Sequence, residues 1–148
     1  MVQEDRFDHV LIDLMGAREA TMLKALARSD LVVIPAQASE PDLREALVIR
    51  DDVRDVIEAG ASRLVYRVLL TKLFPLATKV TAFAHAEIKR HKLERFRAGL
   101  IERAAYREMF LNGYPPSLKE PLSGAGPVIR SIVEEIRALD PLRIKGAA

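Results

Sequence analysis

The chain has 148 residues, about the size of one domain, with 49% hydrophobic residues and a net charge of +2. It has no cysteine, which excludes disulfides and thiolate metal sites, and it has no apolar run of membrane-spanning length. Charge is uneven: residues 1–62 hold 13 acids and 7 bases while residues 63–148 hold 8 acids and 16 bases, so the second half offers a basic face to nucleic acid or anionic lipid, or simply to solvent.

The first predicted element is a strand over residues 8–14, in Phe7-Asp8-His9-Val10-Leu11-Ile12-Asp13-Leu14-Met15-Gly16. Its short run of Val, Leu and Ile, bounded by polar residues, reads as a strand buried on both faces. Asp13 falls at its carboxyl end, where open α/β sheets bind ligands. A carboxylate there can hold Mg²⁺ through water beside a phosphate, or it can merely cap the next helix. No signal peptide precedes this strand, so a cytoplasmic protein is expected.

A helix follows from Ala17 to about Arg28, broken by Ser29-Asp30. Leu31-Val32-Val33-Ile34 is a second apolar strand, stopped by Pro35. Ser39-Glu40-Pro41-Asp42 starts a helix, with Ser39 as cap, Pro41 in the first turn and Asp42 closing a capping box. That helix runs to about Ala59 on a stripe of Ala46, Ile49, Val53 and Val56/Ile57, and Gly60 stops it. Val65 to Leu70 is a third apolar strand ending in Thr71-Lys72.

Residues 78–96 read as a helix whose far end is basic: Lys89, Arg90, Lys92, Arg95 and Arg97. Ala98 to Ile101 reads as a short fourth strand, Arg103 to Leu111 as a helix. After the break at Asn112–Pro116 and the loop Ser123–Gly126, a last amphipathic helix carries Ile129, Ile132, Val133, Ile136 and Leu139, ended by Pro141. His9, His85 and His91 share no metal-ligand spacing. Strands alternating with helices at this spacing predict one α/β domain, a parallel sheet covered by helices.

Several stretches resemble one family in order. Phe7-Asp8-His9-Val10-Leu11-Ile12-Asp13 is similar to the Walker B segment of the ParA/MinD-like partition ATPases. Asp30 to Leu43, with Leu31-Val32-Val33-Ile34-Pro35 at its centre, looks like the next block, and Arg67-Val68-Leu69-Leu70-Thr71-Lys72 like the later strand. Ile101-Glu102-Arg103-Ala104-Ala105-Tyr106-Arg107 resembles a segment of the branch that includes the VirC proteins. The resemblance covers most of residues 7–140. It implies a three-layer αβα P-loop NTPase fold with a mostly parallel sheet, here partial, and ATP with Mg²⁺ as cofactors. It makes Asp13 the magnesium-orienting aspartate and Gly16 part of the γ-phosphate-sensing switch loop. Thr71 and Lys72 fall where the family builds part of its adenine pocket.

The departures from the family are specific. Leu14-Met15 stands where the switch loop usually has Thr-Pro, and no GxxxxGK[ST] phosphate loop, nor its lysine-rich variant, occurs. The chain therefore looks like the C-terminal portion of such a protein, with no independent hydrolysis expected. In the family a phosphate-loop strand lies between the strands ending at Asp13 and Pro35. Without it those two strands pair directly, leave hydrogen bonds unmade or accept a strand from another chain.

The family positions DNA by ATP-dependent dimerisation and non-specific DNA binding. The expected phosphate-backbone contacts are Lys89, Arg90, Lys92, Arg95, Arg97, Arg103, Arg107 and Arg130. Expected partners are a second copy or a full-length ParA-like relative, and no membrane. A non-catalytic module pairing with such a relative is the alternative. A signalling receiver with Asp13 as phospho-acceptor fits less well, because its Thr and Lys belong on separate strands.

Overall fold

The computed structural model describes residues 9–14, 20–60, 64–115 and 124–139. Among these the fold is mixed α/β. Its elements are α1 (Ala20–Leu26), β1 (Leu31–Gln37), α2 (Glu40–Glu58), β2 (Val65–Thr71), α3 (Lys79–Arg90), α4 (Ala104–Asn112) and α5 (Ala125–Leu139). β1 and β2 pair in parallel, Leu31 beside Val65 through Gln37 beside Thr71, with α2 as the crossover.

Side chains alternate across this pair. Ile34, Ala36, Tyr66, Val68 and Leu70 form the buried face, and they share one core with Leu43, Ala46 and Val53 of α2 and Ala84 and Ile88 of α3. Leu26 of α1 joins that core. The opposite face of β1, at Val33, Pro35 and Gln37, is exposed.

The start of α2 is built as its residues dictate. Ser39 Oγ accepts the Asp42 N–H at 3.3 Å. The Asp42 carboxylate accepts the Gln37 N–H at 2.7 Å, so it ties the helix to the end of β1 instead of closing a capping box on Ser39. β1 runs through Pro35, beyond the expected stop. The Val65 N–H donates to Asp30 O at 3.1 Å, so even-numbered residues of β1 face β2. Pro35 points its nitrogen to the other edge, where its missing N–H costs no ladder bond.

α3 ends at Arg90, six residues earlier than the sequence suggests. Lys92 adopts φ 51 and the Leu93 N–H closes on Ile88 O at 2.9 Å. Beyond it, residues 94–102 lie parallel along the second edge of β2. The Val68 N–H donates to Glu94 O at 2.8 Å and Phe96 N–H to Val68 O at 3.0 Å. Further on, Leu100 N–H donates to Leu70 O at 2.8 Å and Glu102 N–H to Leu73 O at 2.8 Å. An unpaired sheet edge outbid the helical pattern here, because pairing satisfies backbone groups on both sides at once. The expected strand at 98–101 is the far end of this longer line.

Gly99 permits the approach, since a Cβ there would stand 2.6 Å from Leu73 Cδ1. Phe96, 1% exposed, sits next to Val68's bridge partner Arg95 and so faces away from the core. The Arg97 N–H donates to Glu135 of α5 at 3.1 Å, which holds α5 to this line.

The first expected strand is corrected. Residues 9–14 form no strand, and Leu11 is 95% exposed. Strand-forming composition needs a ladder partner to become a strand, and none of the described residues supplies one to this run. No helix among the described residues is long and apolar enough to cross a membrane.

Candidate functional site

The residues singled out from the sequence fall into three places. Asp13 is exposed in the 9–14 run, outside the sheet. Gly16 lies outside the described residues. Thr71 is the last residue of β2, and its hydroxyl bonds to Ala36 O at 3.4 Å, which ties the two strand ends together. Lys72 follows, exposed and with φ 50, a left-handed conformation uncommon for a side-chain-bearing residue. Among the described residues, no group of three or more His, Asp or Glu is placed to hold a metal ion.

The basic residues are divided rather than gathered. Lys89 and Arg90 occupy the last turn of α3, where cations also favour the helix dipole. Lys92 is in the turn beyond, with its N–H bonded to Lys89 O at 3.2 Å, and all three side chains are exposed. Arg90 reaches Glu87 at 3.5 Å. Lys92, Arg95 and Arg97 are not helical, a correction to the predicted helix end. Arg95 is half-buried and turns its guanidinium onto Phe96 O at 3.0 Å, and Arg97 is exposed on the same line. From Glu87 to Arg97 five cations face two carboxylates, of which Glu94 is engaged by Arg67 at 3.3 Å.

Arg103 and Arg107 stand at the other end of the 94–102 line. An extended chain rises about 3.3 Å per residue, so the eight steps from Arg95 to Arg103 span at most roughly 26 Å, and bends at Arg97 and Ala98 shorten that. Arg103 is the N-cap residue of α4, and its guanidinium would stand 3.1 Å from a Cβ at Gly124, beside the start of α5. Arg107 is engaged by Glu102 at 2.8 Å. Arg130 is exposed on α5.

Two features were not legible in the sequence. Arg50 of α2, with its side chain 13% exposed, donates to His91 O at 3.2 Å and reaches Asp51 at 2.8 Å. It supports from beneath the turn that presents Lys92. Its place on a stripe next to Ile49 and Val53 was the available signal. The second is a cleft of about 250 Å³ between α2 and α3, floored by Leu43, Leu47, Phe83 and Leu93. The Arg44–Glu40 ion pair (2.6 Å) and the His91–Glu87 contact (3.4 Å) line it. Glu40 is engaged by Arg44, and Glu87 by Arg90 at 3.5 Å as well as by His91, so both carboxylates on the cleft already have partners.

At the α3 turn the arrangement provides three exposed cations, which suits contact with a line of phosphates and carries no base-reading geometry. Comparison with known proteins brings no family model that matches the chain, and no curated protein that matches it.

Proposed function

We propose that this chain is a ParA/MinD-like α/β module that contributes binding rather than hydrolysis, in a partition or DNA-positioning system. It holds DNA by its phosphate backbone at the α3 turn and pairs with a second copy or a full-length ParA-like relative. What supports the reading is the second and third family-like blocks, since Leu31–Gln37 and Val65–Thr71 are parallel strands joined by a helix, with residues 94–102 alongside; the first block, at residues 9–14, is not a strand. A three-layer αβα arrangement, part of a P-loop NTPase fold, would extend that pattern: α2 and α3 share the core on one face of the strand pair, and the layer on the other face belongs to the proposal.

The observation that carries the binding role is the placement of Lys89, Arg90 and Lys92, all exposed, within four residues of one turn. ATP and Mg²⁺ are the cofactors of the family, and Asp13 and Gly16 are the residues that the resemblance assigns to them. A polyphosphate needs a cradle of backbone N–H groups and a lysine. The 148 residues contain no GxxxxGK[ST], so ATP turnover by this chain alone is not expected.

The test is DNA affinity against salt concentration for a duplex of arbitrary sequence. Three phosphate contacts correspond to a log–log slope of about −2.7, and reversing Lys89, Arg90 and Lys92 to Glu removes that component across all sequences. Affinity unchanged by the triple reversal rejects the α3 turn as the DNA surface. Calorimetric titration with Mg-ATP then separates a nucleotide-binding module from a purely interacting one.

A further inference from the structure

We infer that the free edge of β1 is a docking site for the Val10–Leu14 run of a second copy of this chain, so that two copies exchange strands. The inference concerns how copies pair and rests on the edge and the run alone, whatever the nucleotide or DNA role.

The edge is identified by parity. Even-numbered residues of β1 turn their backbone groups to β2, as the Val65 N–H to Asp30 O bond establishes. The N–H groups of Leu31 and Val33 and the carbonyls of Leu31, Val33 and Pro35 therefore point the other way. Among the described residues β1 pairs with β2 alone. The Gln37 N–H is taken by Asp42, so the available edge ends there. Pro35 withholds one donor from the edge and Val33 leaves its side chain 38% exposed. An edge of this kind is a template for an added strand.

The occupant is identified by complementarity within the chain itself. Val10, Leu11, Ile12 and Leu14 are all exposed, a contiguous β-branched and aliphatic run with no ladder of its own. Alternation sets Val10, Ile12 and Leu14 on one side and Leu11 and Asp13 on the other. Laid on the edge, the first set extends the sheet's buried face, while Leu11 lies with Val33 on the open face. Among the described residues each copy thus carries one edge and one run that pair with no further strand. Within its own chain the run stays in solvent instead of seating on β1. Exchange between two copies satisfies both, a route to dimers that creates no new kind of contact.

The experiment uses the full chain. Sedimentation equilibrium is expected to show a monomer–dimer equilibrium. Ile12→Pro, which removes a donor from a run that belongs to no core, is expected to raise the dimer Kd about tenfold or more with an unchanged circular dichroism spectrum. Because the chain has no cysteine, Leu11→Cys and Val33→Cys copies can be mixed and treated with a short bismaleimide. A covalent heterodimer in excess of either homodimer supports the exchange. A wild-type chain that stays monomeric, an Ile12→Pro dimer as tight as wild type, or an intramolecular cross-link in the Leu11→Cys/Val33→Cys double variant overturns it.

Discussion

Gly99→Ala tests whether residues 94–102 lie against β2 as a third line of the sheet. A Cβ at this position meets Leu73 Cδ1 at 2.6 Å, Leu70 O at 3.1 Å and Leu70 Cβ at 3.4 Å. Leu73 can swing its side chain aside at a cost of about 0.5–1.5 kcal/mol. The carbonyl cannot, because it accepts the Leu100 N–H at 2.8 Å, one residue along. The line must lift, and weakening that bond costs about 1 kcal/mol. The sum, about 2 kcal/mol, lies within the range for overpacking, and for a chain of this size it lowers Tm by about 4–8 °C. Thermal melts of Gly99→Ala, Leu73→Ala and the double variant form a cycle. Removing the Leu73 side chain relieves the worst contact, so the double variant should be more stable than the sum of the singles by about 1 kcal/mol. Additive penalties, or a Gly99→Ala melt within a degree of wild type, would refute the close approach.

Two further outcomes follow from single groups. Arg50→Ala strips the hydrogen bond from His91 O, whose geometry sets the α3 turn. It should cost about 1–2 kcal/mol in urea denaturation and, if the α3 turn holds DNA as proposed, weaken that binding while leaving Lys89, Arg90 and Lys92 in place. Burial raises the Tyr106 hydroxyl above its ordinary value of 10.0, with Arg103 partly offsetting it. A raised folded value means stability is fully present below the unfolded pKa and is lost as pH rises through the folded one. Alkaline titration followed at the phenolate absorbance should therefore show one late-ionising tyrosine that Tyr106→Phe removes. The same substitution should flatten the fall in stability above about pH 10.

Local pattern was enough for β1, α2, β2 and α5. Leu31–Ile34 and Val65–Leu70 are short apolar runs, and the Ser39 cap lies within three residues of the N–H it accepts. Signals of that range are complete in the sequence, since both partners are neighbours along the chain. The basic content of residues 89–97 was equally legible, but its arrangement was not. A helix carried to residue 96 would have placed Lys92 and Arg95 on α3, whereas the structure turns the chain at Lys92 and sends Arg95 into the sheet.

What the sequence determined alone, then, is the identity and order of elements whose causes are local: caps, apolar stripes and the breaks at Ser29-Asp30 and Gly60. The tertiary structure decided everything that depends on a partner distant along the chain. Val10–Leu14 has the composition of a strand and is not one, because none of the described residues pairs with it. Residues 94–102 read as a helix end followed by a short strand at 98–101, and the whole line runs along β2 because β2 had an edge to fill. A strand is a property of two segments at once, so one segment read alone cannot declare it.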